Sequence, residues 1–226
     1  MFKHIMHELE HHAPFTFAGA ISGIIFMLLF KNLPHHVSHT VFYILHPTHV
    51  LLSALVTASM YCIYKRGNSA NINFFSLAII GYVGSVGIAT LSDSLIPYLG
   101  EFLLKMPHRH THIGFIEKWW LINPLAFAGI IIAYFAPTTK FPHAGHVLIS
   151  TWASLFHILM AKGDSITAWA YLAILVFLFL AVWFPCCLSD IIFPLLFVDT
   201  KDIHKHIHTH SHNLHSDERE KSEQTS

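Results

Sequence analysis

Apolar residues in this chain gather into long unbroken runs, not into the alternation of half-buried strands or the one-sided spacing of surface helices. Six runs approach the roughly 20 residues that a helix needs to cross a bilayer: 13–30, 40–64, 72–99, 119–136, 143–161 and 168–198. The third and sixth are longer than one crossing requires and contain proline, so both are expected to be bent or broken near a Ser-Asp-x3-Pro segment. The pattern predicts an all-α integral membrane protein with six transmembrane helices.

Polar residues inside the runs repeat. H-P-T-H-V-L-L-S at 46–53 is matched by H-A-G-H-V-L-I-S at 143–150, and L-S-D-S-L-I-P-Y-L at 91–99 by L-S-D-I-I-F-P-L-L at 188–196. Both pairs share an offset of 97 residues, which points to an internal duplication. P-F-T-F-A-G at 14–19 likewise matches P-L-A-F-A-G at 124–129, at an offset of 110. Each copy holds three spans. Three is odd, so the second copy enters the membrane from the opposite side, the inverted-repeat arrangement of many secondary transporters. The expected organisation is a His-rich N-terminal segment (1–12), a three-helix repeat (13–104), a His-containing loop (105–118), a second three-helix repeat (119–198) and a His-rich, disordered C-terminal tail (199–226).

Composition agrees with this class. Of 226 residues 54% are hydrophobic and only 12% charged, about half the charged share of a soluble domain. Mean hydropathy is +0.52. Formal net charge is zero, which leaves no basis for nucleic-acid binding. The three cysteines (Cys62, Cys186, Cys187) form no disulfide framework and no zinc-finger spacing. The N-terminus lacks the basic start of a cleaved signal, so the first run is expected to be retained. A weak Lys/Arg bias places both termini on the cytoplasmic side of the inner (plasma) membrane. Gly19-x3-Gly23 and Gly81-x2-Gly84-x2-Gly87 offer small faces for close helix packing. Expected partners are the lipid bilayer and metal ions, with a homodimer left open.

Among thirteen acidic residues, only Asp93 and Asp190 fall inside the runs, and they are related by the repeat. Ionisable groups in a bilayer are costly and mark function. Pro97 and Pro194 each follow an aspartate by four residues. A helix proline lacks the N–H for the i−4 carbonyl, so each aspartate is expected to offer a backbone oxygen beside its carboxylate. Ser92 and Ser189, or a neighbouring helix, are the alternative partners for that carbonyl.

His46 and His49 are three residues apart, as are His143 and His146, so each pair shares a helix face. Ser53 and Ser150 continue these polar stripes, with Thr57 in one copy and Ser154 and His157 in the other. Two imidazoles and a carboxylate per copy suit a borderline divalent ion. The expected metal set is His46, His49, Asp93, His143, His146 and Asp190, binding Zn2+ foremost, with Ni2+, Co2+, Fe2+ and Mn2+ behind. Calcium and magnesium prefer all-oxygen sites. Cys186 and Cys187 are expected to pack, and His157 is either a further ligand or a core residue. His204, His206, His208, His210, His212 and His215 in the tail, with His4, His7, His11, His12, His35, His36, His39, His108, His110 and His112 outside the spans, read as labile metal-collecting segments.

The leading expectation is a divalent transition-metal transporter, with proton exchange as a natural coupling because protons compete for imidazole. The main alternative is a membrane-embedded metalloenzyme, a hydrolase or di-metal oxidoreductase acting on lipid. H-E-L-E-H-H at 7–12 and H-H-V-S-H at 35–39 resemble the histidine boxes of membrane desaturases and hydroxylases. Inversion of the repeat-related pairs argues against that chemistry, and the lack of an intramembrane glutamate argues against hydrolysis. A metal sensor or store ranks third.

Overall fold

The computed structural model describes residues 2–30, 33–66, 72–163, 167–188 and 192–197, with backbone only for 2–12, 140–143, 187 and 195. Regular structure among the described residues is entirely helical. The helices are α1 (Phe2–Leu29), α2 (His35–Arg66), α3 (Phe74–Thr90), α4 (Ile96–Leu103), α5 (Gly114–Glu117), α6 (Trp119–Phe135), α7 (Lys140–Ala161), α8 (Ala168–Cys187) and α9 (Phe193–Leu195). Local sequence sets several ends. Asn73 caps α3 by accepting the Phe75 N–H at 2.9 Å, and Thr167 caps α8 with its hydroxyl.

Four stretches are long and apolar enough to cross a membrane: His35–Arg66, Phe74–Leu103, Ala144–Ala161 and Ala168–Cys186. Ala13–Leu29 and Trp119–Phe135 are apolar but shorter. The distribution of polarity is that of a protein in lipid. Phe75, Phe135 and Trp169 are more than 70% exposed, whereas His49 and Asp93 are fully buried.

The third apolar run is one helix to Leu103 rather than two pieces. α3 passes into α4 through a π-helical turn at Leu91–Leu95, where the Ile96 N–H reaches back five residues to the Leu91 carbonyl. The expected break is therefore a change of register. The helix also runs past the expected boundary at residue 99 and carries Glu101 into the interior with it. His35, His36 and His39, expected in a connection, form the first turn and a half of α2. The polar segment 2–12 continues α1 as helix. For the sixth run, α8 ends at Cys187 and α9 begins at Phe193; Ser189 and Asp190 lie outside the described residues, as do the tail histidines from His204 to His215.

α2 and α7 lie side by side at the centre and bury polar stripes against each other: His46, His49, Ser53 and Thr57 from α2, and His146, Ser150, Ser154 and His157 from α7. Around them the packing is exchanged. α1 lies on α7 and α8, whereas α6 lies on α2 and α3. Small residues allow the closest approaches. A Cβ at Gly129 of α6 would fall 2.4 Å from the Leu51 carbonyl of α2, so the two backbones touch there. Gly81 and Gly84 of α3 are similarly closed off by Ile130 and Thr57, while Gly87 has nothing within 4 Å.

Candidate metal centre

His46 and His49 project from α2 onto the π turn, and both are buried. Each donates its Nδ1–H to one oxygen of Asp93: His46 to Oδ2 at 2.9 Å and His49 to the same oxygen at 2.7 Å. A carboxylate can only accept, so this arrangement puts a proton on Nδ1 of both rings, and in the Nδ1–H tautomer Nε2 is the lone-pair atom. The other oxygen, Oδ1, accepts from Ser92 at 2.7 Å and from Ser150 of α7 at 2.9 Å. The roughly four lone-pair directions of the carboxylate are thus all used by protein donors. Asp93 acts here by orienting imidazoles, the arrangement common behind metal-ligating histidines.

The π turn makes this convergence possible. Ser92, Asp93 and Ser94 are consecutive, and all three are fully buried. The wider turn lets three neighbours face inward together: Asp93 toward α2, Ser92 toward α7, and Ser94 onto the His112 carbonyl at 2.6 Å. The turn also decides which carbonyl is exposed by Pro97. In the five-residue register the absent proline N–H faces Ser92, not Asp93 as an α-helical register implies. Ser154 of α7 donates to that Ser92 carbonyl at 2.8 Å.

His146 stacks on His49, with ring centroids 5.6 Å apart and an 11° interplanar angle. One ligand atom each from His49, His146 and Cys186 lies within 4.8 Å of the others, and all three residues are buried. Two imidazoles and a thiol form a donor set for a soft or borderline ion. His49 Nε2 is buried and has no hydrogen-bond partner among the described residues. His46 Nε2 meets a different wall. A Cβ at position 114 would fall 2.4 Å from it, so only glycine lets α5 close over that edge of the ring.

Of the residues expected from sequence, His46, His49, Ser92, Asp93 and Ser150 come together, and His146 joins through His49. Ser53 is buried on the α2 stripe, and Pro97 and Pro194 lie in the first turns of α4 and α9. The side chain of His143, together with Ser189 and Asp190, lies outside the described residues. His157 belongs elsewhere: its Nδ1 is 2.6 Å from Glu101 Oε1 in a fully buried pair. Glu101 corrects the expectation that Asp93 and Asp190 are the only interior acids. Its signal lies in I-P-Y-L-G-E-F-L-L, where the apolar run resumes beyond the acid. Cys186 packs as expected, in a buried cluster with Val147, Ala181 and Val182, and it also lies beside His49 and His146; no sequence spacing marks a contact between helices so far apart in the chain.

A third group lies in the segment before α6. His110, His112 and Glu117 bring one ligand atom each within 4.8 Å of the others, with His110 and Glu117 exposed. Glu117 accepts from the Tyr43 hydroxyl, from the Ile113 N–H at 3.1 Å, and from His112 Nδ1 at 3.4 Å. Burial pushes the His112 imidazole below its ordinary pKa, and the nearby His157 adds to that shift. Partial burial alone would raise the Glu117 carboxyl, but the hydrogen bonds from Tyr43 and His112 hold it below the usual range.

Comparison with protein-family models, with curated proteins and with solved structures finds no match to this chain.

Proposed function

We propose that the protein is a membrane transporter of divalent transition-metal ions, with zinc as the best-fitting substrate. The observation that carries this reading is His49. Its Nδ1–H is fixed by Asp93, its buried Nε2 has no protein partner among the described residues, and one of its ring nitrogens lies within 4.8 Å of a ligand atom each of His146 and Cys186. A buried nitrogen left unsatisfied costs about 1–3 kcal/mol, a cost that an arriving cation removes. The ion would bind to His49, His146 and Cys186, while Asp93 holds the rings of His46 and His49 in place. Nitrogen and sulfur donors favour zinc and its neighbours over calcium or magnesium.

Six spans in two inverted three-helix repeats complete the proposal. The exchanged packing supports it: α1 rests on α7 and α8 as α6 rests on α2 and α3, and repeat-related helices would pack in that way. His143 and Asp190 then provide the counterpart of His46 and Asp93 in the second repeat, and rocking of one repeat against the other exposes the ion to alternate sides. Placement in the plasma membrane with cytoplasmic termini rests on the Lys/Arg bias.

The test is zinc flux into proteoliposomes carrying an entrapped fluorescent indicator. His49→Ala and His146→Ala are each expected to lower the flux at least about tenfold, with reconstitution unchanged. Wild-type flux in either variant sinks the assignment. A lipid-directed metalloenzyme is the second reading, and the buried Glu101–His157 pair favours it by supplying an acid–base group. Zinc-dependent lipid turnover in the same vesicles, lost in Glu101→Gln, would replace transport as the function.

A further inference from the structure

The group at His110, His112 and Glu117 is not used by the buried centre. It lies at the end of the bundle where the start of α2, the end of α4 and the end of α7 meet. The His108 N–H bonds the Ala161 carbonyl of α7 there at 3.2 Å, and the His39 ring of α2 stands 5.8 Å from that of His112. The position of His112 is fixed from several directions. Its carbonyl takes the Ser94 hydroxyl, its N–H points at His157 Nε2 at 3.5 Å, and its Nδ1 faces Glu117. Held this way, its Nε2 is left to a ligand, with the His110 ring centroid 4.8 Å away. The carboxylate behind Nδ1 again has the carboxylate–histidine–metal form.

We propose that His110, His112 and Glu117 form a second divalent transition-metal site, partly exposed, at the mouth of the bundle. Two imidazole ligands, with Glu117 orienting His112 from behind and water completing the shell, suit zinc, cobalt or nickel. Inward of it lie His157, with its ring 5.4 Å from His112, and then Phe42, which stacks on His46 at 5.3 Å. The ring of Phe42 separates the mouth from the His46–Asp93 group. An ion held at the mouth is thus one aromatic side chain from the His46–Asp93 group that orients His49, and the site loads the buried centre beyond it. This loading role rests on the proposed transport function; the binding site itself does not.

The experiment compares full-length protein purified in detergent, stripped of metal and titrated with Co2+. Stoichiometry is read by elemental analysis after gel filtration and ligation by the visible absorption of bound cobalt. His110→Ala/His112→Ala is expected to bind one equivalent fewer than wild type, and Glu117→Gln to bind at that site about 10–100-fold more weakly. His146→Ala should lose a different equivalent and leave the mouth spectrum intact. Equal stoichiometry in wild type and the double variant overturns the site. In proteoliposomes the double variant should need a higher zinc concentration for half-maximal flux and reach the same maximum. An unchanged half-maximal concentration overturns the loading role. Absence of flux in wild type, with the equivalent at the mouth present, overturns the transport reading and leaves the site standing.

Discussion

Asp93 holds two imidazoles with one oxygen and two hydroxyls with the other. Asparagine can reproduce that pattern, because its carbonyl accepts from both rings while its amide donates to Ser92 and Ser150. It cannot supply the negative charge that raises imidazole basicity. Asp93→Asn is therefore expected to keep the fold and bind zinc about 10–100-fold more weakly, whereas Asp93→Ala should lose zinc flux altogether. Calorimetric titration and vesicle flux measure the two effects, and wild-type behaviour in Asp93→Ala would rule out the orienting role. Much of this group was legible in the sequence, since an acid and a pair of histidines inside apolar runs have few innocent explanations. His49 and His146 were each picked out by the spacing within their own helix. Their stacking, and the arrival of Cys186 beside them, depends on distances across helices that no local pattern records.

The π turn at Leu91–Leu95 shifts the register that the spacing of Pro97 from Asp93 implies. Counting four residues back from Pro97 leads to the Asp93 carbonyl, but the turn counts five, and the carbonyl with an outside donor is that of Ser92. Ser154→Ala removes that donor and is expected to cost about 1–3 kcal/mol. Pro97→Ala restores a backbone N–H facing the same carbonyl, so in that background Ser154→Ala should cost much less. Denaturant unfolding of the four proteins in micelles forms the cycle, and equal costs in both backgrounds would refute the register. The long helices were visible as apolar runs, but their ends were not. His35, His36 and His39 extend α2, and Glu101 rides on α4, because backbone hydrogen bonding continues past the point where side chains cease to be apolar. The four-residue α5 has no periodicity to detect, yet it brings Gly114 against His46.

Across the bundle, the closest approach of two helix backbones at a glycine is that of α6 to α2 at Gly129. At Gly129 an added methyl meets the Leu51 carbonyl, so Gly129→Ala should destabilise by about 1–3 kcal/mol. Gly87, with nothing within 4 Å, should accept alanine at no cost or gain about 0.5–1 kcal/mol. Thermal unfolding in detergent compares them, and equal effects would show that backbone approach does not limit the packing. The duplicated motifs had suggested two related halves, but repeat spacing alone carries no information about which helix of one half lies on the other. That crossed arrangement has a consequence for biosynthesis. The ribosome completes α2, with His46, His49 and Ser53 buried in the finished protein, well before it makes α7, the helix whose polar stripe faces them. Until then a polar face stands in lipid without its lid. Contacts so distant along the chain close slowly, and the interval between the two halves is when a membrane chaperone has the most to protect.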